Sequence, residues 1–302
     1  MRLRVTDTAE RLDRFLLRHL WQGTGRRRAA DLLALSAVRV NGRPARKGTL
    51  VHPGDEVTIE PVPEDCRSGI VKSLPPAVVY ADARLIAIDK PPGIPSVAGR
   101  GAGPTAEAMV RSGFPAMRGG GLVHRLDTGT SGLLLAAQTP ECYQLLRLEF
   151  SRKTIRKTYV AVVHGRLLRA GSVSHPLRRR ARGRSRVIPA KGSWRTAWPA
   201  HTEYEPLRQS GDLTLVRLRM RTGVTHQLRV HMAMLGYPIL GDQRYGSEHV
   251  GIGWHYLHAA ALAFDSGEWP RALATAFPHH WKALFADLGW SVSWETEICN
   301  AP

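Results

Sequence analysis

The run Leu133-Leu134-Leu135-Ala136-Ala137 constrains the fold more than any other feature. It is continuous, apolar and of strand length, and it follows the glycine-bounded segment His124-Arg125-Leu126-Asp127-Thr128-Gly129-Thr130-Ser131-Gly132. A short apolar run between turn signals reads as a strand buried in a sheet. Val78-Val79-Tyr80 and Leu85-Ile86-Ala87-Ile88 read as further strands joined at Asp82-Ala83, and Lys157 to His164 as another. From Asp212 to Arg221, Val216, Leu218 and Met220 alternate with Arg217, Arg219 and Arg221, which predicts a half-buried strand with a basic face. Residues 105–111, 140–151 and 224–235 carry helical spacing. Strands interrupted irregularly by helices predict an α+β domain with a mixed, mostly antiparallel sheet, over residues 76–290.

A smaller α/β unit is expected ahead of it, at residues 1–60. Leu12, Phe15, Leu16 and Leu20 repeat at helical spacing behind Asp7 or Thr8 as a cap. A second helix, Arg26 to Leu35, opens on Arg26-Arg27-Arg28, and Arg26 and Arg27 are candidate contacts for an anionic partner. Val38 to Arg43 and Asp55 to Ile59 alternate as strands, with Asn41-Gly42 as a hairpin turn. Pro61, Pro63, Pro75 and Pro76 bracket a polar stretch that reads as a linker over 61–75. Residues 291–302 are left as a tail.

Charge narrows the partner. The chain carries 43 Lys and Arg against 25 Asp and Glu, a formal net charge of +18. Residues 151–229 hold 19 of those bases and 3 of those acids. Charge concentrated in this way suits a polyanion, and nucleic acid is the commonest one, although a polybasic membrane-surface protein would satisfy the same count. The densest part, Arg178-Arg179-Arg180-Ala181-Arg182-Gly183-Arg184-Ser185-Arg186, lacks apolar periodicity and predicts a mobile loop. Arg178, Arg179, Arg180 and Arg182 are its candidate phosphate contacts. Cys66, Cys142 and Cys299 are odd in number and form no CxxC pair. They argue against a disulfide framework or a structural zinc and fit a reducing cytoplasm. Met1 to Asp13 has no apolar core for secretion, and no apolar run approaches the roughly 20 residues that span a bilayer.

Asp127 is the candidate for chemistry. It stands beside basic side chains on a glycine-bounded loop entering a core strand. A nearby arginine keeps a carboxylate ionised, and an ionised carboxylate can act as a nucleophile. Alone, Asp-Thr-Gly would be a turn cap accepting backbone N–H groups. An aspartic protease needs a second carboxylate to share a proton, and no second Asp-Thr-Gly occurs. A metal-dependent phosphodiesterase would draw on His124, Asp127, His226 and Asp242. His226 and His231 are five apart, about 140° around a helix, which disfavours shared ligation. Hydrogen bonding is the expected role of all three histidines, and no metal is expected.

The nine residues from His124 to Gly132 resemble the signature loop of the RluA family of pseudouridine synthases. Leu85 to Pro95, Arg156 to Ala161, Thr222 to His231, Gly241 to Gly246 and Leu257 to Ala259 resemble that family's other motifs, in order. The N-terminal unit is similar to the alpha-L RNA-binding domain through Arg11-Leu12-Asp13, Val40-Asn41-Gly42 and Pro53-Gly54-Asp55. The resemblance implies that a uridine is flipped out of RNA, its glycosidic bond cleaved, the base rotated, and C5 rejoined to the ribose, with no cofactor. It implies Asp127 as the catalytic carboxylate. Whether Asp127 attacks C1′, attacks the base or takes a ribose proton stays open.

It further implies that Arg229 pairs with Asp127 and that Tyr159 lies against the target base. Arg125 would fill the vacated place in the RNA stack, with His124 counted among the RNA contacts. Val224 stands where the family usually carries Arg. Large-subunit rRNA is expected ahead of tRNA, and a monomer ahead of an oligomer. The competing expectation is a non-catalytic RNA-binding or ribosome-assembly factor on the same scaffold.

Overall fold

A computed structural model of the chain describes residues 2–6, 8–12, 15, 38–45, 49–59, 77–98, 103–117, 119–179, 187–190, 197–247 and 254–291. Of the first expected N-terminal helix, Leu12 and Phe15 are described and the rest is not; the second, with Arg26 and Arg27, the expected linker, and Arg180 and Arg182 lie outside these residues. So does the tail beyond residue 291. Contacts divide the chain into two units, one within Met1–Lys72 and one formed by Ser73–Val250 and Trp254–Pro302.

In the first unit, β1 (Arg2–Arg4), β6 (Glu56–Ile59), β3 (Val38–Val40) and β4 (Arg43–Pro44) form an antiparallel sheet in that order, and β2 (Glu10–Arg11) pairs with β5 (Leu50–Val51). Val5, Leu12, Phe15, Val38, Val51 and Val57 make its core. Asn41 and Gly42 both take positive φ, 49° and 77°, as the expected tight hairpin turn requires. Asn41 ties that turn to the next one: its Nδ2 donates to Asp55 Oδ1 at 2.8 Å and its Oδ1 accepts from Glu56 N–H at 2.9 Å.

The second unit is built on a ten-stranded sheet. Its path runs β12 (Gly171–Val173), β15 (Thr202–Ser210), β16 (Leu213–Met220), β11 (Ile155–His164), β17 (Leu257–Phe264), β10 (Ser131–Ala137), β8 (Leu85–Lys90), β7 (Ala77–Ala81). β9 (Gly121–Leu122) pairs with β10 and β18 (Ala272–Ala274) with β17. Every pairing is antiparallel except β10 with β17. The sheet is thus mixed and mostly antiparallel, as expected.

Both faces of β10 are buried, which is why it reads as an unbroken apolar run. Leu134 and Ala136 join one core with Ile86, Ile88, Tyr159 and Leu218, under α1 (Ala106–Gly113) and α3 (Gln227–Met234). Leu133, Leu135 and Ala137 join the opposite core with Ile155 and Phe264, under α2 (Pro140–Arg152). Gly132, the second residue of this strand, has φ 108°, and a Cβ there would stand 2.2 Å from the Ala259 carbonyl oxygen. Only glycine lets β10 come so close to β17.

Three expectations need correction. The basic face of β16 is incomplete, because Arg217 is 8% exposed and its Nη1 donates to Glu205 Oε2 at 2.8 Å across the strand pair. The expected loop at 178–186 does not begin at Arg178. Arg178 and Arg179 belong to β13 (Leu177–Arg179), which pairs with β14 (Val187–Pro189) in a hairpin. The helix expected from Val224 starts at Gln227, since His226 takes left-handed φ and ψ of 58° and 17°. Among the elements that were not expected are β15, β17 and α4 (Trp281–Asp287). Among the described residues, no helix is long and apolar enough to cross a membrane.

Candidate active site

Asp127 sits in the loop between β9 and β10, and the loop is held from several sides. Leu126 N–H donates to Ser96 Oγ at 2.9 Å, and Ser96 Oγ–H returns a bond to Leu126 O at 2.8 Å. Thr130 N–H closes a turn onto Asp127 O at 3.0 Å, and Thr130 Oγ1 bonds His255 Nε2 at 2.9 Å. Gly93 N–H donates to Thr128 O at 2.8 Å. Lys90 reaches in behind, its Nζ donating to Pro91 O and Ile94 O, both at 2.8 Å, and to Thr128 O at 3.3 Å. Three carbonyl acceptors match the three protons of an ammonium. Burial pushes Lys90 down to about 7, against the pull of the Asp127 and Asp89 carboxylates.

α3 supplies the partner. Arg229 Nη1 donates to Asp127 Oδ2 at 2.9 Å, while Nε and Nη2 donate to Asp242 Oδ2 and Oδ1 at 2.7 and 2.8 Å. Burial opposes the charge of Arg229, but the hydrogen bonds and charge of Asp242, with a smaller share from Asp127, hold its pKa above the ordinary value. Burial also opposes ionisation of Asp242, and Arg229 outweighs it, keeping that carboxyl below the usual range. The Arg229 guanidinium lies 5.2 Å from the Tyr245 ring centroid. Tyr245 in turn bonds His226 Nδ1 through its hydroxyl at 2.8 Å and accepts from Val187 N–H at 3.2 Å. With that hydroxyl donating to Nδ1, a neutral His226 carries its proton on Nε2, 3.8 Å from Asp127 Oδ2. Burial keeps His226 below the ordinary histidine value, and the Asp127 charge opposes this.

Tyr159 faces the same carboxylate. It is 6% exposed, and burial first, the negative charge of Asp127 second, push its phenol well above the normal range. The register of β11 against β17 shifts between Thr158 and Tyr159, a bulge of the kind that re-aims a side chain beside a site. The hydroxyl therefore stays protonated near neutrality, and the ring is its main asset.

The structure brings Asp127, Arg229 and Tyr159 together. Arg125 is exposed, separated from Asp127 by the buried Leu126, so the two flank an anchored residue. His124 is turned the other way. Its Nε2 accepts from Leu135 N–H at 3.0 Å and its ring lies tilted, 4.8 Å from that of Phe150, which gives it a place in the fold instead of an RNA contact. That also removes it from the metal set, and Asp242 is spent on Arg229. His231 bonds Thr202 Oγ1 and His175 O, both at 2.9 Å, as a structural histidine. Val224 packs on the cluster of Leu177, Val187, Ala200, Val230 and Tyr245, so the missing arginine is replaced by an apolar support for the β13–β14 hairpin. Sequence reasoning missed Lys90 as a loop anchor and Tyr245 as a link to His226. Both stand in segments that resemble the family's motifs, and that resemblance was the signal that could have found them.

A family profile described as RNA pseudouridylate synthase matches residues 84–234. An RNA pseudouridine synthase of Chloroflexus aurantiacus is 34% identical over 87% of this chain and 85% of its own. Ribosomal large subunit pseudouridine synthase D of Vibrio parahaemolyticus is 32% identical over 80% of this chain and 74% of its own. The solved structure of human RNA Pseudouridylate Synthase Domain Containing 4 superposes with a TM-score of 0.58 at 25% identity, covering 70% of this chain and 93% of that one.

Proposed function

Since the chain belongs to the RNA pseudouridylate synthase family, we propose that Asp127 is the carboxylate with which it isomerises uridine in RNA. The net reaction breaks the N1–C1′ bond and forms C5–C1′; the C5 proton leaves and one proton is taken up at N1. Atoms and charge balance without a redox partner. The single observation that carries the assignment is the Arg229–Asp127 hydrogen bond of 2.9 Å in a loop pinned at Ser96, Gly93 and His255. A carboxylate held in one geometry by a charged donor is pre-organised for attack or proton removal. Tyr159 offers its ring to the flipped base, stacking at little entropic cost. Arg125, exposed two residues before Asp127, fills the gap in the RNA stack and offsets part of the few kcal/mol that flipping costs.

Large-subunit rRNA is the proposed target, supported by the ribosomal relative from Vibrio parahaemolyticus. The N-terminal unit is proposed to grip structured RNA, and the chain to work as a monomer in the reducing cytoplasm, without metal or cofactor. Release of tritium from RNA labelled at uridine C5 tests both reaction and target. Release from large-subunit rRNA transcripts, undiminished by chelators, is expected. Release from tRNA alone would move the target, and binding of all these RNAs without release would leave an RNA-binding factor instead.

A further inference from the structure

Lys90 and Lys157 are both buried, but they are not equally well paired. Lys90 has three carbonyl acceptors for its three ammonium protons. Lys157 is 8% exposed and has one, Thr222 O at 3.0 Å, with the Phe150 ring centroid 5.9 Å away. Burying a charge that is short of acceptors is costly, and an incoming anion would relieve that cost.

The surroundings of Lys157 are positive. Burial first, and the Lys153 charge second, push it down to about 8. His124, whose ring lies against the same Phe150, is pushed down to about 3 by burial and then by the charges of Lys157 and Arg147. Arg147 is exposed on α2 and donates from Nη1 to Val123 O at 3.0 Å. Lys153, also exposed, ends α2 with left-handed φ and ψ of 62° and 28°. Among the described residues, no carboxylate pairs with any of the three cations. Glu149, between Arg147 and Lys153 on α2, accepts from Thr154 Oγ1, and Asp265 is taken by Arg156 at 3.2 Å.

This cluster borders each segment that supplies the site. Arg147 holds Val123, at the root of the loop that carries Arg125 and Asp127. Lys157 stands two residues before Tyr159, and its acceptor Thr222 opens the turn into α3, which carries Arg229. We propose that Lys157, Arg147 and Lys153 form a phosphate site for the RNA backbone beside the flipped uridine, with the buried Lys157 as its floor. The inference rests on the chain acting on RNA. A phosphate accepts the spare protons of Lys157 and reaches the exposed Arg147 and Lys153, so that like charges are held together by the anion between them. Fixing one phosphate there sets the register of the strand while the neighbouring nucleotide turns over toward Asp127.

The test is Lys157→Met in the full chain, which keeps the apolar stem and removes the charge. Its affinity for a large-subunit rRNA transcript is measured across a salt series, beside the parent. Affinity should fall about tenfold, the order expected for losing a charge-assisted hydrogen bond. The salt slope should flatten by about 0.7, for one single-stranded phosphate no longer neutralised. A lysine that only supports the Thr222 turn predicts parental affinity and slope in a folded variant, and that result would overturn the inference. Single neutral methylphosphonate linkages around the modified uridine then locate the phosphate. One of them should weaken binding by the parent about tenfold and by the Met variant hardly at all, because the two changes remove the same contact. Losses that add in full at every linkage would also overturn the proposal. Should Lys157→Met not fold, Arg147→Gln with Lys153→Asn carries the same test, since both side chains are exposed and Asn tolerates a left-handed helix end. A flatter slope in that double variant supports the site, and an unchanged slope refutes it. A parent that binds RNA without releasing tritium defeats the catalytic reading and leaves the salt-slope test in force; a parent that binds no RNA defeats both.

Discussion

At the scale of single residues, the site is a chain of charge compensation running from Asp127 through Arg229 to Asp242. Breaking a buried pair costs more than the pair contributes, because one ion is left unpartnered. Arg229→Ala is expected to destabilise the protein by about 3–5 kcal/mol in denaturant unfolding. Replacing both partners by apolar residues, Arg229→Met with Asp242→Leu, should recover much of that loss while leaving no activity. Acid acts on the same groups. Burial holds His255 down to about 4, with the Arg229 charge adding to the effect, and holds His258 at about 3. In the unfolded chain these rings titrate near the ordinary 6.5, so below that pH the unfolded state binds more protons than the folded one and stability falls. Asp242 adds to this lower down, since a depressed carboxyl stabilises above its unfolded pKa and loses that contribution as pH falls through its folded value. Thermal melts should drop steadily from pH 7 to pH 4; a flat Tm over that range would show that these histidines are not held neutral. Asp127, Arg229 and Tyr159 were legible in the sequence because each stands in a motif of its own. The fork of Arg229 onto Asp242 was not, because it depends on how the turn after Leu240 folds back on α3. His124 read as an RNA contact from its neighbours, and only the geometry of Leu135 N–H shows it facing inward.

Elements were legible where their burial was simple. β10 announced itself by its apolar run, and α2 by its spacing between the Thr139 cap and the left-handed Lys153. β17 did not, since Leu-His-Ala-Ala-Ala-Leu-Ala-Phe is alanine-rich and leans toward helix by propensity. Pairing with β10 on one side and β11 on the other overrides that preference. The small side chains of β17 have a purpose at Ala259, whose carbonyl meets Gly132. Gly132→Ala combines φ of 108° with a 2.2 Å approach to backbone, so a loss of about 3 kcal/mol or more is expected. Gly223→Ala, whose Cβ would meet nothing nearer than Lys157 Nζ at 3.5 Å, is the matched control, within about 0.5 kcal/mol of the parent. Equal unfolding free energies for the two would contradict the account of the β10–β17 junction.

For the whole molecule, charge decides what the site meets. The basic stretch holds 19 Lys and Arg against 3 acids, and part of it, as at Arg217, is folded into the sheet as ion pairs. Composition could count those charges but not say which are spent internally, because cross-strand pairing sets that. Neutralising Arg178, Arg179, Arg180, Arg182, Arg184 and Arg186 together should weaken RNA binding. It should also flatten the salt dependence, by about 0.7–0.9 in slope for each phosphate that is no longer neutralised. An unchanged slope would make the hairpin a bystander. The central claim, that Asp127 is the reacting carboxylate, is tested most directly by tritium release from uridine-labelled rRNA with the parent chain and Asp127→Asn under identical RNA saturation. The parent should release tritium and the Asn variant, folded and RNA-bound, should release none above background; turnover by Asp127→Asn near the parental rate would contradict the account.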